Sequence, residues 1–310
     1  MANKSLTPSD FVHLHNHTQY SLLDGLTKVP DLIEYVKMNG MQSVAITDHG
    51  TLSGVVEFYK AAKADDIRPV IGMETYVAAR NHTDKDPSKD KLNYHLIVLA
   101  MNQKGYENLM RLSTIANLEG FYYKPRIDHE LLEKYNEGLI VLSGCIGGEV
   151  GDALRNEQYE QAKDIAQWYK SIFGDRYYIE IQDHGHPDHP SRWDEQTKVN
   201  TAGLKLAKEL KIKCAVTADA HYLKHADQEA HEVLLCVQTG SFMSDERRMS
   251  LKEFELHVTK PEEIIGRWEK DFPEAVRTTR EIAERCEVEL ELGKILIPKF
   301  ETPKNQSEEA

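Results

Sequence analysis

His13, His15 and His17 alternate with Leu14 and Asn16 just after Phe11 and Val12, and Asp24 follows in the next turn. Alternation of this kind reads as a β-strand, on which residues two apart share a face. Three imidazoles converging at a strand end, with a carboxylate close behind, cost too much for a simple core and suit a divalent metal. One His-x-His is a weak signal by itself. Its weight comes from the rest of the chain, where metal-binding residue types recur at the ends of apolar runs. Asp48-His49-Gly50 follows the run 43–47, Glu74 follows 69–73, and His95 heads 96–99. Ser143-Gly144-Cys145 follows 139–142, and Asp219-Ala220-His221 follows 213–218.

Imidazole and thiolate favour zinc and similar borderline ions, while carboxylates also accept manganese or magnesium. The mixed set therefore predicts zinc, manganese or iron over a purely magnesium site. Clustered divalent ions hydrolyse phosphoesters by activating water and by stabilising charge on the attacking and leaving oxygens. Lys124 and Arg126, in a turn-rich segment, read as a clamp for a substrate phosphate. Asp48 reads as a carboxylate that orients an imidazole.

The elements that must position these groups alternate. Segments with helical periodicity (29–39, 55–64 and 159–173) separate the apolar strands. Such alternation implies a mostly parallel sheet covered on both faces. In a closed barrel the strand C-termini share one rim, where an active site forms. After His221 the pattern turns helical, at 228–237, 261–270 and 273–286, with Pro261 and Pro273 placed where a first turn tolerates proline. These helices carry no evident catalytic cluster, so packing is the expectation. Residues 298–310 form a polar tail.

Several longer motifs narrow the reading. His15-x-His17, Thr47-Asp48-His49-Gly50, Gly72-x-Glu74, His95, Ser143-Gly144-Cys145 and Asp219-Ala220-His221 together resemble the polymerase and histidinol phosphatase (PHP) domain. Residues 20–25 (Tyr-Ser-Leu-Leu-Asp-Gly), 120–128 (Gly-Phe-Tyr-Tyr-Lys-Pro-Arg-Ile-Asp) and 180–185 (Glu-Ile-Gln-Asp-His-Gly) resemble the PHP domains at the N-terminus of bacterial DNA polymerase III alpha subunits. The resemblance covers nearly the whole chain. It implies an α/β fold, a distorted (β/α)7-type barrel with a C-terminal helical extension: residues 1–225 the barrel, 226–297 the extension leading towards the polymerase core, and 298–310 the tail. In the family that tail leads into a polymerase palm, whose carboxylate motif is absent here, so a fragment unable to polymerise DNA by itself is implied.

The resemblance also implies up to three divalent ions. His15, His17, Glu74 and Asp219 would hold one, with Glu74 bridging to a second on His95 and Cys145, and Asp24, His49 and His221 would take a third. Some family members have lost several of these ligands; all nine positions here can coordinate. Asp219, Glu74, His15 and His221 are the implied catalytic set, and Lys124, Arg126 and His184 the substrate-binding one. His13 stands where the wider superfamily usually has an acidic residue and is left outside the ligand set. His186 and His189, beside Gly185 and Pro187, read as surface residues, and His257 as structural.

Composition bounds the function. The 310 residues carry 38 Lys and Arg against 51 Asp and Glu, a formal charge of −13. A free-standing nucleic-acid binder is usually basic, so the chain should grip DNA weakly by itself. Four widely spaced cysteines show no paired motif, which fits a reducing cytoplasm. No run approaches the ~20 apolar residues of a membrane span. The polar stretch 81–91 reads as an exposed loop of the kind that contacts partners.

Two readings follow from the resemblance. In one the chain is a metal-dependent phosphodiesterase, a 3′–5′ proofreading exonuclease acting on the DNA primer 3′ end during replication. In the other it is a metal-stabilised module supporting the remainder of the polymerase III alpha chain or binding a separate proofreading exonuclease subunit. A histidinol phosphate phosphatase fits the polymerase-like flanking motifs less well.

Overall fold

Side chains along the strands alternate between two apolar environments, so both faces of the sheet must be covered. In the computed structural model, which describes residues 5–185, 193–295 and 297, Ile71, Met73, Val98, Val141, Ile179 and Val216 face a layer of helices. Their neighbours Val70, Ile97, Leu99, Ile140, Leu142, Tyr178 and Ala215 fill the interior. His186, His189 and the tail 298–310 lie outside the described residues.

The strands are β1 (Ser43–Ile46), β2 (Arg68–Ala78), β3 (Asn93–Ala100), β4 (Arg126–Ile127), β5 (Leu139–Leu142), β6 (Tyr177–Gln182) and β7 (Lys213–Thr217). They lie in the order β1-β2-β3-β5-β6-β7, with β4 against the outer part of β2. The helices are α1 (Val29–Met38), α2 (Val55–Ala64), α3 (Gln103–Leu118), α4 (His129–Lys134), α5 (Glu149–Arg155), α6 (Tyr159–Phe173), α7 (Trp193–Leu210), α8 (Gln228–Thr239), α9 (Pro261–Trp268) and α10 (Pro273–Arg285). Local sequence explains several of them. In α1, Val29, Leu32, Ile33 and Val36 form one buried stripe behind a proline in the first turn. Asn102 and Asp128 cap α3 and α4 through the amides of Gly105 and Leu131.

The sheet is more mixed than the alternation of elements predicts. β3 runs antiparallel to both β2 and β5, while the pairs β1–β2, β5–β6 and β6–β7 are parallel. The reversal has a consequence for the site. His95 begins its strand, yet it reaches the rim formed by the C-terminal ends of the parallel strands.

The segment 13–17 closes the barrel and corrects the simple strand reading. It hydrogen-bonds both sheet edges: the amides of Ala45 and Thr47 donate to the carbonyls of His13 and Asn16, and His17 N donates to Ala220 O at 2.8 Å. Three residues of the segment therefore span two of β1, which is a β-bulge. The Asn16 side chain occupies it, donating to the His13 and Ala45 carbonyls at 3.1 Å. A one-residue insertion flips the phase of every side chain beyond it. His15 and His17 turn into the rim with Leu14 beneath them, and His13 turns outward to the Thr259 carbonyl at 2.8 Å. The three histidines do not share a face.

The opposite end is plugged by α10. Ile282, Ala283 and Cys286 pack into the interior beneath Val12, Ala45 and Ala215. Polar ties hold the plug, with Lys213 Nζ 2.6 Å from Glu281 and Arg285 Nη1 2.5 Å from the Tyr178 hydroxyl. The fold is the distorted α/β barrel that the resemblance implies. No helix among the described residues is long and apolar enough to cross a membrane.

Candidate metal centre

Glu74 is the hub of the rim. It is fully buried on the interior face of β2. Oε1 lies 2.6 Å from His95 Nδ1; Oε2 lies 2.6 Å from His49 Nδ1, 3.2 Å from His17 Nε2 and 3.7 Å from His15 Nε2. Neither oxygen has a hydrogen-bond partner of proper geometry, and the same holds for Asp219 Oδ1. Asp219 Oδ1 is 3.0 Å from His15 Nε2 and 3.3 Å from His17 Nε2. Its backbone stands at φ +48°, a left-handed conformation uncommon outside glycine but easier for Asp than for most residues. Asp24 approaches His49 Nε2 at 3.1 Å and His221 Nε2 at 3.5 Å. Cys145 Sγ is 3.5 Å from His95 Nδ1.

Donor atoms thus converge in three groups able to hold an ion: His15, His17 and Glu74; Glu74, His95 and Cys145; and His17, His49 and His221. Asp219 flanks the first group and Asp24 the third. Buried carboxylate oxygens aimed at imidazoles without hydrogen bonding to them are what a cation between them would explain, because unpartnered buried charge is otherwise very costly. The mixed nitrogen, sulfur and oxygen donors fit divalent transition ions.

Electrostatics agree. Burial alone would strip His15 of its proton, yet the charges of Asp219 and Glu180 overcome it and raise its pKa well above the ordinary value. Burial likewise opposes charge on His17, but the nearby carboxylates of Asp219 and Glu74 hold it up at about 9. Burial pushes Glu74 and Asp219 upwards; the surrounding imidazoles prevail and hold both carboxylates well below their usual range. His221 goes the other way, to about 4, through burial and the neighbouring His17. In the metal-free chain protons neutralise the cluster, and cations would displace them.

The supports are equally specific. His15 Nδ1 meets Glu180 Oε1 at 2.7 Å, and Thr217 Oγ1 donates to the same oxygen at 2.6 Å. His17 Nδ1 meets Ser21 Oγ at 3.0 Å, and Ser21 Oγ donates to Asp48 at 2.7 Å. Asp48 therefore orients an imidazole as expected, but through a serine.

A family model described as the PHP domain matches residues 13–184, more than half of the chain. The chain belongs to the PHP domain family. Among its relatives, the DNA polymerase III subunit alpha of Borreliella burgdorferi is 42% identical over 280 residues, covering 90% of this chain and 24% of that protein. That of Thermus aquaticus is 42% identical over 311 residues, covering 96% of this chain and 25% of that protein. That of Deinococcus radiodurans is 41% identical over 316 residues, covering 97% and 23%. This PHP domain spans about a quarter of the length of the relatives it matches.

The nine expected ligands of the PHP domain do come together at the rim. The expected substrate-binding residues divide. Lys124 is exposed, with Nζ 5.1 Å from the centre of the Tyr76 ring, which stacks on His49. His184 is buried and meets Gln182 Oε1 at 2.9 Å, while Gln182 Nε2 donates to Asp219 at 3.2 Å. It reaches the centre only through that glutamine. Arg126 is a correction. Its guanidinium is buried and donates to the carbonyls of Gly120, Asp90, His82 and Asp84, so it organises two loops and offers nothing to a phosphate.

Sequence reasoning missed two residues. Glu180 could have been found, since it stands two residues after the inward-facing Tyr178. His231, on α8, is 1% exposed, with an unpartnered Nε2 4.0 Å from Asp24 Oδ1 and its ring 5.7 Å from that of His221. The expectation that the C-terminal helices only pack therefore fails for α8. Nothing in a helical stretch beyond the barrel signals that one histidine returns to the rim.

Proposed function

We propose that this PHP domain is a metal-dependent phosphodiesterase within a replicative polymerase alpha subunit, removing nucleotides from a DNA 3′ end as a 3′–5′ proofreading exonuclease. The observation that carries the reading is Glu74, shared between two convergent donor groups and in contact with the third. In this reading residues 1–225 form the catalytic barrel and 226–297 an extension towards the polymerase core. His15, His17, Asp24, His49, Glu74, His95, Cys145, Asp219 and His221 hold up to three ions of zinc, manganese or iron. Such ions would supply water activation and charge stabilisation on a phosphodiester.

The protein's own groups do the positioning. Glu180 fixes the His15 tautomer, and Ser21 with Asp48 fixes that of His17. Gln182, backed by His184, holds Asp219. Lys124, exposed beside the Tyr76 ring that stacks on His49, takes the substrate phosphate. His95 keeps about 31% of its side chain exposed, which leaves the His95–Cys145 side open to substrate. A purely structural site is normally closed. That opening favours catalysis over the metal-stabilised scaffold.

The test is a primer with a mismatched 3′ end, incubated with the purified chain and manganese or zinc at low salt, where an acidic protein retains DNA. An Asp219→Ala, His15→Ala double variant runs alongside. Shortening from the 3′ end by the parent alone supports the reading. Three bound metals with no cleavage by the parent sinks it and leaves the scaffold.

A further inference from the structure

The loop 120–125 stands beside the metal centre and shows what a buried loop would hide. Phe121 is 52% exposed and Tyr123 65% exposed. Neither results from a slack loop. Tyr122 N donates to Lys124 O at 3.0 Å, and Arg126 Nε to Gly120 O at 3.1 Å. Pro125 lies so close to Gly50 that a Cβ there would stand 2.6 Å from its ring, and Gly50 directly follows His49. Tyr123 sits at φ +60°, a backbone conformation that a bulky residue adopts only under constraint. A strained, fixed loop that turns aromatic rings into water gains nothing in folding and points to a ligand.

The chemistry of the rings and charges selects that ligand. Tyr122 and Tyr123 meet edge to face at 4.6 Å, while Phe121 and Tyr123 keep their rings exposed to solvent. Lys91 Nζ lies 5.9 Å from the Tyr123 ring and Lys124 Nζ 5.1 Å from the Tyr76 ring, whose other neighbours are His49 and His95. Aromatic faces interleaved with ammonium groups match the alternation of base and phosphate in a nucleic acid. In a chain of net charge −13, Lys91 and Lys124 bring positive charge against these rings, set among the carboxylates of Asp86 and Asp90. A base within a duplex is covered on both faces by its neighbours, so successive bases reach protein rings only where the strand is unpaired.

We propose that Phe121 and Tyr123 form a stacking platform for the bases of an unpaired nucleic-acid end, with Lys91 and Lys124 on its phosphates and the terminal linkage directed to the metal centre. The platform deepens the nuclease reading and rests on it for the last of these clauses only. Binding tests it separately from cleavage.

The probe is an oligothymidylate twelve-mer carrying fluorescent 2-aminopurine at its 3′ end, against the same strand ending in abasic sites. The parent quenches the fluorophore and binds the abasic strand about tenfold more weakly, the effect of losing one base–aromatic stack. Phe121→Ala with Tyr123→Ala loses the quench, binds the intact strand about tenfold more weakly, and no longer distinguishes the two strands. In cleavage this appears in KM with kcat retained, and hydrolysis of bis(p-nitrophenyl) phosphate, which has no base, is unchanged. Tyr123→Gly guards against misfolding: glycine accepts the positive φ, so Tm holds or rises while binding falls. Quenching by the parent without any cleavage keeps the platform and removes the nuclease reading. Cleavage with equal binding by parent and variants overturns the platform and keeps the nuclease. No binding by the parent at low salt overturns the platform.

Discussion

Along β6 the interior face changes character within two residues: Tyr178 packs among Ala215, Cys286 and Leu142, and Glu180 holds an imidazole. β3 makes the same passage in reverse, from His95 at the rim to Ile97 and Leu99 within. The two ends of one barrel thus share strands and register but not purpose. The end plugged by α10 is apolar and satisfied, while the rim keeps buried oxygens without hydrogen-bond partners on Glu74, Asp219 and Glu180. Stability that depends on close packing is gathered at one end. The costly polar atoms are gathered at the other, where a cation can repay them.

The sharpest way to break this division is Asp219→Ala. Losing a charge-stabilising group from an active site costs on the order of 10³-fold in turnover. The variant should also lose metal and, because bound metal contributes to folding, melt at a lower temperature. Elemental analysis with thermal melts checks both. Full metal content in the variant would remove Asp219 from the ligand set.

At the plugged end the expectation inverts. Ile282→Ala should destabilise the chain by about 2–5 kcal/mol, the usual result of truncating a buried aliphatic. Urea unfolding measures that loss, and the folded variant should keep its metal and its turnover number. A drop in kcat at full metal loading would show that the two ends are coupled.

Much of the rim was legible because strand chemistry is local. A ligand type at the end of an apolar run is visible in any one sequence, and Glu74, Cys145 and Asp219 stood out on that ground. What escaped depends on partners distant in the chain. The direction of β3 is set by its neighbours, so the way His95 reaches the rim from the head of its strand was not legible. The bulge at Asn16 appears only when Ala45 and Thr47 are set beside it, and it separates His13 from His15. Arg126 advertised a phosphate site because its charge is obvious, whereas the four carbonyls that occupy it come from two loops. His231 needed the path of α8.

Glu180 offers a finer cut through the rim. It lies outside the three convergent donor groups and meets His15 Nδ1, so Glu180→Gln should lower metal affinity about 10- to 100-fold, the usual cost of losing such a support. Competition against a chelating dye measures this. Turnover at saturating metal should recover most of the parent value if Glu180 only positions the ligand. Failure to recover would move it into the reacting set.

The smallest effect separates two kinds of buried histidine. His17, among carboxylates, is held up at about 9. His257, 8% exposed on the outer side, is pushed down to about 4, chiefly by burial, with Glu255 opposing only in part. The signs then differ. The unfolded chain protonates His257 below its ordinary 6.5 while the folded chain resists, so this contribution is complete above pH 6.5 and is lost as pH falls towards 4. That of His17 in the chelated protein is complete below 6.5 and is lost as pH rises through about 9. Urea titrations of chelated parent and His257→Phe should diverge between pH 6.5 and 4, the parent steeper by roughly 1 kcal/mol per pH unit. Towards pH 9 the two should run parallel, because His17 remains in both. Parallel curves throughout would mean that His257 keeps its ordinary pKa. The outer side of the barrel would then tolerate charge as the rim does, and the contrast between them would rest on the carboxylates alone.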